Sequence, residues 1–318
     1  PESYYAPPVE ALAEIQVVRG AASLQYGTQF GGMVNFVIAP PSLKPITVAS
    51  RTTVGSYNLF TNYTAVSGNV GKFSYNTFFN YKTAEGFRPN SAFDSQNYFA
   101  NLNYQFNEKT SIKFDYTYFH YLAQQPGGLT DYMFEQDPTQ SNRTRNWFEV
   151  NWNLYALRFN HAFDNQADFS LQLFGLDASR SAVGYRSNRV SNPDIDGTVR
   201  DLIIGDFVNW GAEARYLKRY SLNDNNNAYL IGAKYYQAKN SSIQGPGSSG
   251  SDADFDLAID EFPLYANQSE YSYPNLNFAI FGENIFRFGQ NFSVTPGFRI
   301  EYIKTQADGY YRKINLDL

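Results

Sequence analysis

Apolar and polar side chains alternate with a period of two through most of this chain, and no other feature restricts its fold so strongly. From Phe292 to Tyr302 the residues Phe292, Val294, Pro296, Phe298, Ile300 and Tyr302 interleave with Ser293, Thr295, Gly297, Arg299 and Glu301. The same design runs through Phe73–Tyr81, Tyr98–Phe106, Ile112–Tyr118 and Tyr155–Phe159. Successive side chains of a strand point to opposite faces, so each segment predicts a strand with one apolar and one wet face. About eleven strands can be read from Ile46 onward, many near the ~9–11 residues that a tilted membrane span needs. A soluble β-sandwich also alternates. Here the strands are long, and Tyr and Phe crowd their ends as in the aromatic girdles of a membrane barrel.

The punctuation agrees. Short polar turns at Asn69–Lys72, Asn107–Thr110, Asp164–Ala167, Asn223–Asn227 and Phe288–Asn291 alternate with longer loops beginning near Tyr57, Arg88, Pro126, Arg180 and Asn240. One smooth edge and one elaborated edge are what a transmembrane antiparallel β-barrel needs. No apolar run reaches the roughly 18 residues of a membrane helix. The chain has no cysteine, which excludes disulfides and thiolate metal sites. A net charge of −5 argues against a nucleic-acid partner, which calls for a basic surface.

The first ~40 residues differ from the rest. Val9 to Ile15 suits a short helix or turn, Ile15 to Arg19 and Val34 to Ile38 suit strands, and Gly20, Gly27, Gly31 and Gly32 break the backbone between them. Pro40, Pro41 and Pro45 end the region, since proline cannot continue a ladder. This reads as the tail of a small globular domain and a linker. The abrupt start at Pro1 and the final strand with the beginning of a loop lead us to expect an internal piece of a longer protein.

Glu14-Ile15-Gln16-Val17-Val18-Arg19-Gly20, Ala22-Ser23-Leu24-Gln25-Tyr26-Gly27 and Gly31-Gly32-Met33-Val34-Asn35-Phe36-Val37 together resemble the end of the plug domain of TonB-dependent outer-membrane receptors. Pro126-Gly127-Gly128-Leu129-Thr130, Gly211-Ala212-Glu213-Ala214-Arg215-Tyr216 and the Phe292–Glu301 strand resemble the ferric-citrate branch of that family. The resemblance implies a globular plug inside a barrel of about 22 strands. Residues 1–41 would be the C-terminal part of the plug, and residues 42–318 the first half of the barrel. It also implies a location in the outer membrane of a Gram-negative bacterium, with lipid and lipopolysaccharide around a monomer. The TonB-ExbB-ExbD complex would supply energy through a region that this sequence lacks. The cargo would be a ferric chelate, with iron carried by the chelator and no resident cofactor or metal. Another siderophore, cobalamin or an oligosaccharide stays open as cargo, and a passive porin or an adhesin would not need a plug.

A chelate bearing carboxylates calls for arginines, because a planar guanidinium stays charged and pairs bidentately. Arg180, Arg186, Arg189 and Arg200 cluster around the fourth loop, and Arg143 and Arg145 lie in the third. Arg180 resembles the citrate-contacting arginine of the branch, with the spacing to Gly184-Tyr185 longer by two. The branch's next contacting arginine would fall near Gly205, where no arginine stands. Gln29 matches the plug-apex glutamine, whose amide can hydrogen-bond a chelate oxygen. Arg19, with Glu10, Glu14 or Glu301, would pair plug and wall, since an intramembrane charge must find a partner or water.

Other constellations carry less. His120 and His161 on neighbouring strands lack the company that a metal site or a triad requires, so no catalytic role is expected. Tyr132, Phe134, Trp147, Phe148, Tyr185 and Trp210 could face an apolar cargo, or serve as girdle and loop core. Asp252, Asp254, Asp256, Asp260 and Glu261 raise a calcium reading without the spacing of a calcium loop. Beside Gly245–Ser251 they read as a mobile solvated loop.

Overall fold

The computed structural model describes residues 5–19, 24–27, 31–187, 189–223, 225–289 and 291–312. A leader comes first: a 3₁₀ turn at Val9–Ala11, then a hairpin of β1 (Leu12–Val18) and β2 (Met33–Ile38), with Ile15 opposite Phe36 and a second 3₁₀ turn at Leu24–Tyr26 between the strands. Ten strands follow as a meander: β3 (Thr47–Gly55), β4 (Leu59–Val70), β5 (Phe73–Ala84), β6 (Phe93–Asn107), β7 (Thr110–Gln124), β8 (Trp147–Phe163), β9 (Ala167–Gly184), β10 (Arg200–Leu222), β11 (Asn225–Gly247) and β12 (Ser269–Phe288). The segments β13 (Phe292–Val294), β14 (Gly297–Thr305) and β15 (Asp308–Tyr311) all pair with β12 and amount to an eleventh strand. It is interrupted at Thr295-Pro296, where proline has no N–H to give the ladder. One short helix, α1 (Asp131–Gln136), is capped by Thr130, whose hydroxyl accepts from the Met133 N–H.

Each strand of the meander pairs antiparallel with its chain neighbours, so alternate connections lie at the same rim. All five predicted turns therefore share one rim. Their tightness is written in the residues that enter the left-handed region: Gly71, Gln166, Asn223 and Gly289 have φ of 61, 62, 50 and 68°. The opposite rim carries residues 85–92, 125–146, 185–199 and 248–268 as long connections. The first connection departs from expectation. Only residues 56–58 join β3 to β4, with Tyr57 and Asn58 at φ of 59 and 57°, a tight hairpin turn.

Register sorts the side chains into two faces. Asn76 stands opposite Asn101, Phe78 opposite Phe99 and Asn80 opposite Asn97, and the same row runs on through Phe119, Trp152, Ala178 and Phe207. The leader packs on this face. Ala11 and Ile38 meet Tyr63, Ala65, Phe78 and Phe99, and the Asn76 amide donates to the Ala39 carbonyl at 2.8 Å. The other face carries Tyr98, Leu173, Trp210, Ile231, Ile280 and Ile300, from 37% exposed at Tyr98 to 70% at Ile300. A continuous exposed apolar surface across ten strands is a lipid-facing wall.

The wall makes a direct prediction. Leu173→Arg should cost about 2–4 kcal/mol in vesicle-embedded protein, as a cation on the lipid face does near the bilayer midplane. Gln172→Glu, one residue along and on the other face, should cost little, because Arg158 already donates to that side chain. Equal costs in a denaturant titration would overturn the assignment of faces.

Strand lengths differ more than expected. β4 and β5 have 12 residues, whereas β8 has 17, β9 18, β12 20, and β10 and β11 23 each. On the lipid-facing side polarity switches partway. Tyr155 and Leu157 give way to Asn153, Asn151 and Glu149 on β8, Leu173 to Asp177 and Ser179 on β9, and Trp210 and Val208 to Asp206 on β10. The switch marks the upper membrane border, and the long strands continue beyond it as a self-supporting sheet.

Candidate functional site

The arginine-rich rim is built from the long connections and from the extended ends of β8–β12. Arg180 is on β9 itself, opposite Val150 and Gly205, and the fourth connection starts only at residue 185. Likewise Asn240 lies inside β11, and the fifth connection starts at residue 248.

Three of the predicted ligand arginines have another task. Arg145 is 2% exposed. Its Nη2 donates to Asp194 Oδ1 at 2.6 Å and to the Ile195 carbonyl, and its Nη1 donates to the carbonyls of Thr198 and Ser249. Arg200 is fully buried; Nε donates to the Ser248 carbonyl, Nη2 to Ser248 Oγ, and Nη1 to the carbonyls of Arg145 and Asp252. Arg143 lies over the Tyr185 ring at 5.0 Å and donates to the carbonyls of Asn142 and Asn192. A guanidinium has five donors. In Arg145 and Arg200 they point at loop carbonyls and at Asp194, so these residues clamp three connections together and are not open to a ligand.

Electrostatics reinforce the clamp. Burial alone would raise the Asp194 carboxyl, but the hydrogen bonds and charge of Arg145, helped by Thr144, hold it below its ordinary value. Burial lowers the Arg200 guanidinium, with Asp254 pulling the other way. Asp254 is lowered by the Asp256 N–H and then by Ser248. The Gly-Ser stretch expected to be mobile is thus tied down, with Trp147 Nε1 also donating to the Ser251 carbonyl at 2.8 Å. Among the described residues no group of three His, Asp or Glu could hold a metal ion. Asp252 and Asp254 serve the clamp instead.

The remaining arginines are placed differently. Arg186 is exposed, with Nη1 2.6 Å from Asp201 Oδ2. Asp201 is buried and also accepts from Gln244 Nε2 and from the Tyr265 hydroxyl at 2.8 Å. Burial first, and then the Asp201 charge, push the Tyr265 phenol up. The Arg189 side chain is exposed and makes no hydrogen bond or ion pair among the described residues. The rim therefore presents Arg186 and Arg189 outward, with Arg180 partly buried below them on the leader side of β9.

Gln29 lies outside the described residues. Among the described residues Arg19 and Glu14 make no contact with the wall: both are exposed, and Glu14 accepts from Gln16 of its own strand. Other groups do that work. Glu10 is 3.7 Å from Arg51, Tyr5 donates to Asn97, the Glu283 carboxylate accepts from the Leu24 N–H, and Arg299 donates to the Leu24 carbonyl at 3.0 Å. Glu301 pairs with Arg299. Of the leader's described charged residues only Glu10 reaches the wall, and wall charges reach the leader's backbone, which no sequence signal announces.

His120 meets Glu149 at 3.1 Å near the loop rim, whereas His161 bonds Thr110 at 2.9 Å beside the turn rim. Thr110 stands ten residues from His120 on β7, about 33 Å along a strand, so the two rings share no ligand. Trp210 faces lipid with Tyr235, 5.2 Å between ring centres, and leaves the list of loop aromatics. Tyr132 and Phe134 on α1 are exposed at the loop rim.

No protein-family model and no curated protein matches the sequence. Solved structures do. The ferric citrate transporter FecA in its unliganded form matches with a TM-score of 0.73 at 20% identity, over 93% of this chain and 43% of that one. The ferripyoverdine receptor of the outer membrane of Pseudomonas aeruginosa gives 0.73 at 13% identity, over 93% and 42%. BauA, the ferric preacinetobactin receptor of Acinetobacter baumannii, gives 0.65 at 13% identity, over 96% and 51%. The chain has the fold of outer-membrane receptors of this kind, and spans about half of their length or less.

Proposed function

We propose that the chain is part of a TonB-dependent receptor that takes up a ferric chelate across the outer membrane of a Gram-negative bacterium. Residues 1–41 are the end of its plug and residues 42–318 the first part of its barrel. The observation that carries the reading is a wall with an exposed apolar face on one side and a docked hairpin on the other. A passive pore has no use for that hairpin, and a binding site alone supplies affinity and no net accumulation. An outside energy source is therefore part of the proposal, reached through the TonB-ExbB-ExbD complex. The receptor acts as a transporter and not as an enzyme, works as a monomer, and meets lipopolysaccharide with the polar band above its apolar wall.

The proposed cargo carries carboxylates, as ferric citrate does. Arg186 and Arg189 would meet it first and Arg180 next, with Gln29 at the plug apex. The chelator's oxygens hold the iron, so the protein needs no metal ligands. Exposed Tyr132 and Phe134 favour a second reading, a siderophore with an apolar body. Growth on ferric citrate as the sole iron source, with and without the intact gene, tests the first reading. Growth that does not depend on the gene would set citrate aside in favour of the second.

A further inference from the structure

The leader is held on two sides by different chemistry. On β4–β6 it is seated in an apolar cluster, Ala11 and Ile38 against Tyr63, Phe78 and Phe99, with Phe78 and Phe99 stacked at 5.2 Å and the Asn76–Ala39 and Tyr5–Asn97 hydrogen bonds beside it. That wall is nearly neutral on the leader's side: Asn76, Asn80, Asn97 and Asn101 flank the two rings, and all four are buried. On β10–β14 the described contacts are mainly polar, the Leu24 side chain at Gly297 being the apolar one. Glu283 and Arg299 grip the Leu24 backbone, and Arg215 lies 5.8 Å from the centre of the Tyr26 ring. Water replaces such hydrogen bonds at small net cost, whereas it cannot replace buried apolar contact.

Charge follows the same division. Below the polar contacts, toward the turn rim, Arg219 and Arg287 line a cavity of about 350 Å³ with Asn226, Ala228 and Ile285. Arg219 pairs with Asp168 and Arg215 with Glu213, and the Arg287 side chain has no partner among the described residues. Arg215, Arg219 and Arg287 thus descend one side of the interior, on strands adjacent to the Leu24 contact.

We propose that the passage opens along β10–β14 while the leader stays seated on β4–β6, and that Arg215, Arg287 and Arg219 receive the anionic chelate along the way. This rests on the transport reading above and adds the route to it. The polar side yields first when the leader is pulled, and the side that yields is the one carrying guanidinium groups for an anion.

Disulfide tethers in the full-length receptor, with any cysteine outside these 318 residues first replaced by serine, test the route. Ala39→Cys with Asn76→Cys ties the leader to β5, and Leu24→Cys with Glu283→Cys ties it to β12. Uptake of ferric citrate should stay within about twofold in the oxidised β5-tethered protein. It should fall at least tenfold in the β12-tethered one and return with reductant. A β5 tether that blocks as strongly, or a β12 tether that blocks nothing, overturns the proposal.

A second measurement does not depend on the cargo. Phe281 is fully buried on β12, its ring lying over Gly232, where a Cβ would come 2.4 Å from the ring. Phe78 is 1% exposed on β5. In energised cells Phe281→Cys should gain maleimide labelling at least fivefold and Phe78→Cys should not; the reverse pattern overturns the route. If no ferric citrate enters even the untethered receptor, the cargo reading fails, and the labelling still decides the route.

Discussion

Arg145→Ala should release the loop rim as a unit. The side chains of Arg145 and Asp194 are 3% and 1% exposed, and the substitution leaves the carboxylate buried without its cation. Removing one partner of a buried pair costs about 3–5 kcal/mol, far more than the pair contributes over an apolar replacement. The loss should be local, because the clamp lies above the membrane border. Hydrogen exchange and protease nicking should rise together across residues 185–199 and 248–268, with the apolar wall unchanged. Arg145→Leu combined with Asp194→Leu should be milder than either single change. The same clamp resists acid: Asp194 titrates below its unfolded value, so its contribution is complete above the ordinary carboxylate range. It is lost only as pH falls through the depressed folded value. Nicking confined to one connection in Arg145→Ala would refute the clamp.

Replacing Arg180, Arg186 and Arg189 together by glutamine should weaken ferric citrate binding by on the order of 100-fold. Two lost charge-assisted contacts at ~1.5 kcal/mol each amount to ~3 kcal/mol, and every ~1.4 kcal/mol is tenfold. Arg186 contributes from a fixed position, since Asp201 holds one edge of its guanidinium and leaves the rest exposed. Arg189 contributes mainly to capture, so its share should fade as salt rises. Arg143→Gln serves as the contrast: it should loosen the third connection and leave affinity nearly unchanged. Calorimetry on the full-length receptor measures both, and undiminished affinity in the triple variant removes the arginines from the binding site.

How much of this was legible beforehand follows from where the physics is local. The turn rim could be read because Gly71, Asn223 and Gly289 supply the backbone freedom that tight turns need. The lipid-facing wall could be read because hydrocarbon imposes apolar residues at every second position. Above the border that rule stops. Asn151, Asn153, Asp177 and Asp206 face outward there, and Val150, Trp152, Ala178 and Phe207 face inward, so the contrast changes phase. Strands ending at Gly184 and Gly247 therefore looked like loops from Arg180 and Asn240 onward. The clamp was illegible for another reason: Arg145 meets partners 49 and 104 residues away, and no pattern along the chain encodes such a meeting.

The length of β10 and β11 has a consequence at the cell surface. On β10 the polarity switch between Val208 and Asp206 leaves residues 200–206 to rise above the bilayer. At ~3.3 Å per residue and a tilt of ~40°, that is a parapet on the order of 20 Å high. In the receptor proposed above, it would raise the mouth above the lipid surface, where freely diffusing solutes, and any large particle able to grip a stiff ledge, can reach it.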